Sequence, residues 1–462
     1  MSHKLQIFTL VLGIIIYFLP IPHGLSPEAW HLFAIFITTI LAVMLKAVPI
    51  FTSSIIAISV TIITGTLTST QAFSGFSQDF ILLIVIAFLI ARGVIKSGLG
   101  KRIAFLIIKK FGKSSLGLSY SIIAADMFIA PAFPSNTARS GVLYPIVNAL
   151  AHDSASKVAD GTRKKIGSFL MMSSMAGLSI SSTMWLTAMA ANPAGAAIAK
   201  EYGVNITYGS WALAASLPII ILFVLVPYVI YKVYPPDLKQ TPEAPKVAEE
   251  SLKKMGKVSK NEWVMAITFI IMVFLWVMSE AWGINKTAVA LLGLATLMIT
   301  NIFTVEDMKH EGGALETLIW FGILYTMSVY LNEFGFMAYI GKLILQSVSD
   351  FSWPIVYTAL VLSYVFIHYF FVSQTAQMLA LFSVFLGVGI NTNVPPELLA
   401  YMLLFATNFN AVITPQGSSA NVIYVGSGYI EAGEIYKVGG IVTLVNTLVF
   451  LTIGTAWILL VL

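Results

Sequence analysis

Two short polar strings interrupt otherwise apolar sequence, Ser135-Asn136-Thr137 and Ser373-Gln374-Thr375. Each sets a hydroxyl, a side-chain amide and a second hydroxyl in consecutive positions. Such groups donate hydrogen bonds without the cost of burying a full charge, which suits a small carboxylate. Pro131 and Pro134 end the segment before the first string, and Ser135 can then cap a returning helix. A helix start adds free N–H groups and a positive dipole end, again favourable to an anion. Two further interruptions follow. Thr187 precedes Ala191-Asn192-Pro193, and Asn408, Asn410 and Thr414-Pro415-Gln416-Gly417-Ser418-Ser419 break a later apolar run. Threonine followed by proline is a helix-start signal, so Thr414 and Pro415 are expected to open a half-helix. Serine and threonine inside apolar helices more commonly bond the carbonyl one turn back. Their recurrence at paired breaks favours the binding role for Ser135, Asn136, Thr137, Thr187, Ser373, Gln374, Thr375, Thr414 and Pro415.

Ionisable residues amid such breaks carry a functional expectation of their own. Arg139 lies two positions past Thr137, Asp126 lies on the opposite arm of the same segment, and His368 precedes Ser373 by five. These three are the candidates for coupling charge to movement. A bare Arg139, joined by protonated His368, would neutralise a bound dianion and leave uncompensated positive charge when the site is empty. If Arg139 instead pairs with Asp126, that argument loses its cation. The sequence contains no Walker A loop, no His-Glu-x-x-His and no dinucleotide fingerprint, so nothing in it supports an enzyme.

The elements that must position these residues follow from composition. The 462-residue chain is 58% hydrophobic and 10% charged, has no cysteine and carries a net charge of +5. A soluble chain would hold about 25% charged residues. This is a multi-span membrane protein, and its basic residues do not indicate nucleic acid. Apolar runs occur near 5–21, 30–48, 51–68, 79–97, 166–190, 210–233, 261–281, 286–303, 314–334, 397–424 and 436–460. At ~20 residues per span these make about eleven crossings. The broken regions 115–150 and 354–390 are expected to be re-entrant hairpins that do not cross. With a cytoplasmic N-terminus, this count leaves only Lys200, Lys286 and Lys342 outside and Arg139 at membrane depth, as the positive-inside rule asks. The hairpins then enter from opposite sides, the pattern of an inverted repeat with halves 1–233 and 261–462 joined by a cytoplasmic linker at 234–260. The expected fold is therefore all-α and polytopic. The first span shows no cleavage site, which points to an uncleaved protein of a bacterial plasma (inner) membrane.

Several strings are longer and more specific. Pro22 to Trp30, Ile90 to Arg102, Pro134-Ser-Asn-Thr-Ala-Arg139, Thr187 to Pro193, Asn261-Glu-Trp263, His368 to Thr375 and Ile423 to Tyr429 span nearly the whole chain. Together they resemble the divalent anion:sodium symporter family. They look most like its branch of 2-oxoglutarate/malate translocators and citrate/succinate or tartrate/succinate antiporters. The resemblance implies a homodimer with scaffold and transport domains moving elevator-fashion. It places the family's two binding motifs on 135–137 and 373–375, with Gln374 where asparagine is usual. Sodium-coupled relatives also ligate sodium at these tips, so the metal that the resemblance admits is sodium near Ser135, Asn136 and Ser373. Gln374 and Arg139 count against it, and no other cofactor is expected.

Two transport modes remain open on these grounds, exchange of di- or tricarboxylates and sodium-coupled uptake of the same acids. A channel would need a continuous polar path, whereas the polar residues here gather at separate breaks. The topology itself is open to test because the chain has no cysteine of its own. A thiol introduced at Lys253 should react only with reagent on the cytoplasmic face, and one at Asn393 only with reagent outside. Reaction of both from one face would remove the inverted repeat.

Overall fold

The computed structural model describes residues 3–348 and 351–462. Every regular element among them is helical, apart from an isolated antiparallel bridge between Ser114 and Gln240. Nine of the described helices are long and apolar enough to cross a membrane, and three shorter ones are also apolar. Each of the eleven apolar runs becomes a helix: His3–Phe18, Pro27–Met44, Ile50–Ile63, Asp79–Ser97, Gly167–Met184, Tyr208–Val233, Lys260–Val277, Lys286–Ile299, Gly312–Glu333, Pro396–Phe409 and Ala432–Val449. Local chemistry sets their starts. Ser26 accepts from the Ala29 amide with Pro27 at the first helical position, and Ser259 with Glu262 makes a reciprocal capping box. Among these eleven, Gly167–Met184 is the least apolar because Ser and Thr crowd it. Residues 167 to 183 are all buried, and Ser179, Ser182 and Thr183 bond carbonyls one turn back. Protein rather than lipid covers those hydroxyls.

Both broken regions fold as helix–turn–helix. The first runs Ser115–Ile129, a 3₁₀ turn Ala130–Ala132, then Asn136–Asp153. The second runs Trp353–Ile367, a 3₁₀ turn His368–Phe370, then Gln374–Asn391. The flanking order also repeats. Asp79–Ser97 and Leu99–Phe111 precede the first hairpin as Gly312–Glu333 and Phe336–Val348 precede the second, and an interrupted helix follows each.

By their contacts the residues fall into two compact units, each drawn from both sequence halves. One comprises Met1–Val85, Ala194–Ile206 and Gly312–Leu404. It holds the second hairpin and a core in which Phe80 meets Tyr325 edge-on at 4.9 Å. Within it Gly75 packs so tightly on the Gly322 carbonyl that a Cβ would lie 2.3 Å from that oxygen. The other comprises Ile86–Pro193, Thr207–Glu311 and Phe405–Leu462, with the first hairpin and both helix breaks. Trp211 is fully buried there and donates from Nε1 to the Thr183 carbonyl at 3.0 Å.

The charged linker is more ordered than its composition suggests. Thr241 Oγ1 donates to the Gly112 carbonyl, the Ser115 amide donates to the Lys239 carbonyl, and the chain then forms the helix Ala244–Met255. That helix packs on Leu99–Phe111. Arg102 makes the joint: it pairs with buried Glu262 and donates from Nη1 to the Gly256 carbonyl at 3.0 Å, just past the end of the linker helix. Truncating one partner of a buried pair costs about 3–5 kcal/mol. Arg102→Ala should therefore free the linker helix, read as faster tryptic cleavage at Lys253 and Lys254 than in the wild type.

Candidate functional site

At the first tip the backbone leaves helical form at Phe133 and Ser135, both extended, and re-enters it at Asn136. Ser135 Oγ accepts from the Ala138 amide at 3.3 Å, the cap that its sequence context suggests. The second tip repeats this geometry. Ser373 has φ −149° and ψ 124° against −138° and 120° for Ser135, and its Oγ accepts from the Ala376 amide at 3.3 Å. In both tips the first hydroxyl is thus committed to the cap as acceptor while its proton stays available. Thr137 is exposed, Thr375 is half-buried, and Asn136 and Gln374 are buried.

The first break is fastened to the first tip. Thr187 Oγ1 donates to the Pro131 carbonyl at 2.8 Å, and the Ala190 amide donates to the Pro134 carbonyl at 2.9 Å. The Thr187 hydroxyl therefore spends its proton on the tip's backbone, which makes Thr187 a residue that positions the tip. The second break reaches the same tip. Ser419 Oγ lies 2.8 Å from Thr137 Oγ1, both exposed, while Ser418 is buried.

The second break does not open a helix at Thr414 and Pro415. Residues 410–420 form successive turns, and the short helix runs Asn421–Gly426. The reason lies in Asn421, whose Nδ2 donates to the carbonyls of Ala411 at 2.8 Å and Thr414 at 3.1 Å, ten and seven positions back. Asn192 does the same in the first break, donating to the carbonyls of Ser182 at 3.1 Å and Trp185 at 3.2 Å, again ten and seven positions back. Each asparagine satisfies two carbonyls that the missing helical turn leaves open. Asn408 Nδ2 then donates to Asn192 Oδ1 at 2.7 Å. Asn421 and Ser419 were not among the residues expected to build the site. The seven-residue relation to a break could have marked Asn421, but its partners are backbone carbonyls, which leave no side-chain signature.

Arg139 is not a bare cation. It is fully buried and lies 3.2 Å from Asp126, itself 1% exposed, and it donates to Ser181 Oγ at 2.7 Å. Ser181 in turn donates to Asp126, and Arg139 Nη2 donates to Asn136 Oδ1. The pair brings no net charge to the tip, so the fixed-cation account of coupling loses its premise. The Asn136 side-chain oxygen, one of the groups named for sodium, accepts here from a guanidinium N–H. His368 is buried at the first position of the 3₁₀ turn before the second tip, where its carbonyl accepts from the Phe371 amide at 2.9 Å.

A family model described as the sodium:sulfate symporter transmembrane region matches residues 2–462. YflS of Bacillus subtilis strain 168, a candidate malate transporter, is 44% identical over 453 residues, covering 98% of this chain and 95% of its own. The chloroplastic dicarboxylate transporter 1 of Spinacia oleracea is 38% identical over 460 residues, 99% of this chain and 81% of its own. The crystal structure of the YdaH transporter of Alcanivorax borkumensis shares the fold with a TM-score of 0.58 at 13% identity, over 85% of this chain and 88% of that one.

Alanine at Ser135, Thr137, Ser373 or Thr375 should weaken binding of succinate or 2-oxoglutarate by about 0.5–1.5 kcal/mol, and by about 1.5–3 where the lost bond is to the carboxylate. Asn421→Leu should instead lower the melting temperature of the purified protein, because it leaves two buried carbonyls unsatisfied. Wild-type affinity in all four alanine variants would remove the tips from the site.

Proposed function

Because the chain belongs to the sodium:sulfate symporter family of membrane transporters, we propose that it exchanges dicarboxylates, of the malate, succinate and 2-oxoglutarate class, across a bacterial plasma membrane. Tricarboxylates such as citrate fall within the same chemistry. The reading draws on the hydroxyls and helix-start N–H groups gathered at the first tip and the second break, and on the matching set at the second tip. Donors without a fixed counter-charge can hold a carboxylate and still release it. The relatives' names support the substrate class, and the resemblance supports a homodimer working by an elevator-type movement.

The observation that carries exchange over symport is the guanidinium of Arg139 on Asn136 Oδ1. It engages an oxygen that a sodium ion at the first tip would need, which supports exchange. Since Asp126 neutralises that arginine, the penalty on the empty carrier comes from desolvated donors. Each donor stripped of water without a partner costs about 1–3 kcal/mol, and a bound dicarboxylate supplies those partners. The loaded carrier crosses and the empty one stalls, so efflux of one acid is tied to uptake of another.

Uptake into proteoliposomes tests this directly. Labelled malate should enter vesicles preloaded with succinate and should hardly enter empty ones, with or without an inward sodium gradient. Entry into empty vesicles that requires the gradient would give the protein to sodium symport.

A further inference from the structure

The two hairpins correspond bond for bond at their tips. The Phe133 amide donates to the Ala130 carbonyl at 3.0 Å as the Phe371 amide donates to that of His368 at 2.9 Å. The caps at Ser135 and Ser373 match, and the amides of Arg139 and Gln377 donate to the carbonyls of those two serines at 3.2 and 3.1 Å. Arg139 and Gln377 therefore occupy the same place, one turn into the returning arm.

Their side chains also do the same thing. Arg139 reaches back 13 positions to the Asp126 carboxylate on the opposite arm. Gln377 reaches back 13 positions to the main-chain carbonyl of Tyr364, donating from Nε2 at 2.7 Å. Gln377 and Tyr364 are both completely buried, as Arg139 is. Each hairpin thus has a tie between its arms at the same height above the tip, ionic in the first and neutral in the second. A capped tip can splay or shift along the arms unless something fixes one arm against the other, and its donors keep their aim only while it does not.

We propose that Gln377 is a positioning residue of the second tip, doing with a neutral amide what the Arg139–Asp126 pair does in the first. In both hairpins the arm-to-arm tie, and not the charge on it, sets the tip for substrate. An ionic tie is then replaceable by a neutral one, provided that both partners change together.

The experiment measures exchange in proteoliposomes, with KM and Vmax separated, beside the melting temperature of each purified variant. The melting readout does not depend on whether the carrier exchanges or symports. Gln377→Met keeps the length and apolar bulk but loses the donor. It should raise KM about fivefold or more while Vmax stays within about twofold, since the carrier still moves but its donors are misaimed. Arg139→Gln alone should abolish exchange and lower the melting temperature, because Asp126 is left buried without its cation. Joining Asp126→Asn to it rebuilds the first tie in the manner of the second, and should return the melting temperature and bring KM to within about threefold of wild type. A wild-type KM in Gln377→Met would overturn the positioning role. A double variant that folds but does not exchange would show that the charge itself is needed. A double variant that fails to fold would end the equivalence of the two ties.

Discussion

Buried backbone can hardly leave an N–H or C=O unpaired, and this chain leaves helical form at two hairpin tips and two helix breaks. Each departure comes with the side chain that makes it tolerable. Ser135 and Ser373 accept from the amides that open the returning arms, and Asn192 and Asn421 donate to carbonyls that the breaks set loose. Thr187 takes one more carbonyl at the first tip. The residue types that look like ligands from the sequence are the same types that this backbone needs for its own satisfaction. They divide by exposure: Thr137 and Ser419, bonded to each other, are exposed where a break meets a tip, whereas Thr187, Asn192 and Asn421 are buried and committed to backbone.

Charge is handled under the same constraint. Arg139, Asp126, Ser181 and Asn136 form one hydrogen-bonded cluster, so the two ionic groups are buried as a pair. A buried pair of this kind adds little stability over an apolar replacement, while breaking it is costly. Its effect is geometric: a guanidinium held on three partners fixes the arm, the break and the amide of the tip relative to one another.

The charged stretch that joins the sequence halves belongs to this design as well. Its helix Ala244–Met255 lies along Leu99–Phe111, the amphipathic segment that leads into the first hairpin. Arg102 ties the two to the start of Lys260–Val277 through Glu262.

Class, spans and breaks were legible in the sequence because they depend on near neighbours. Apolar runs of span length, prolines and hydroxyls at fixed offsets, and the Ser135 cap involve residues within a turn of one another, and the structure follows them closely. Family membership was legible for the same reason, since its motifs are contiguous strings. Partner choice was not. Nothing local distinguishes an Arg139 that faces a ligand from one that pairs with Asp126, and the start of the last half-helix at Asn421 rather than Pro415 depends on an amide seven and ten residues from the carbonyls it meets. Proline marks where a helix can begin, but buried carbonyls decide where it does. Only the folded chain brings those carbonyls to one side chain, because the bond is to backbone, which every sequence carries alike.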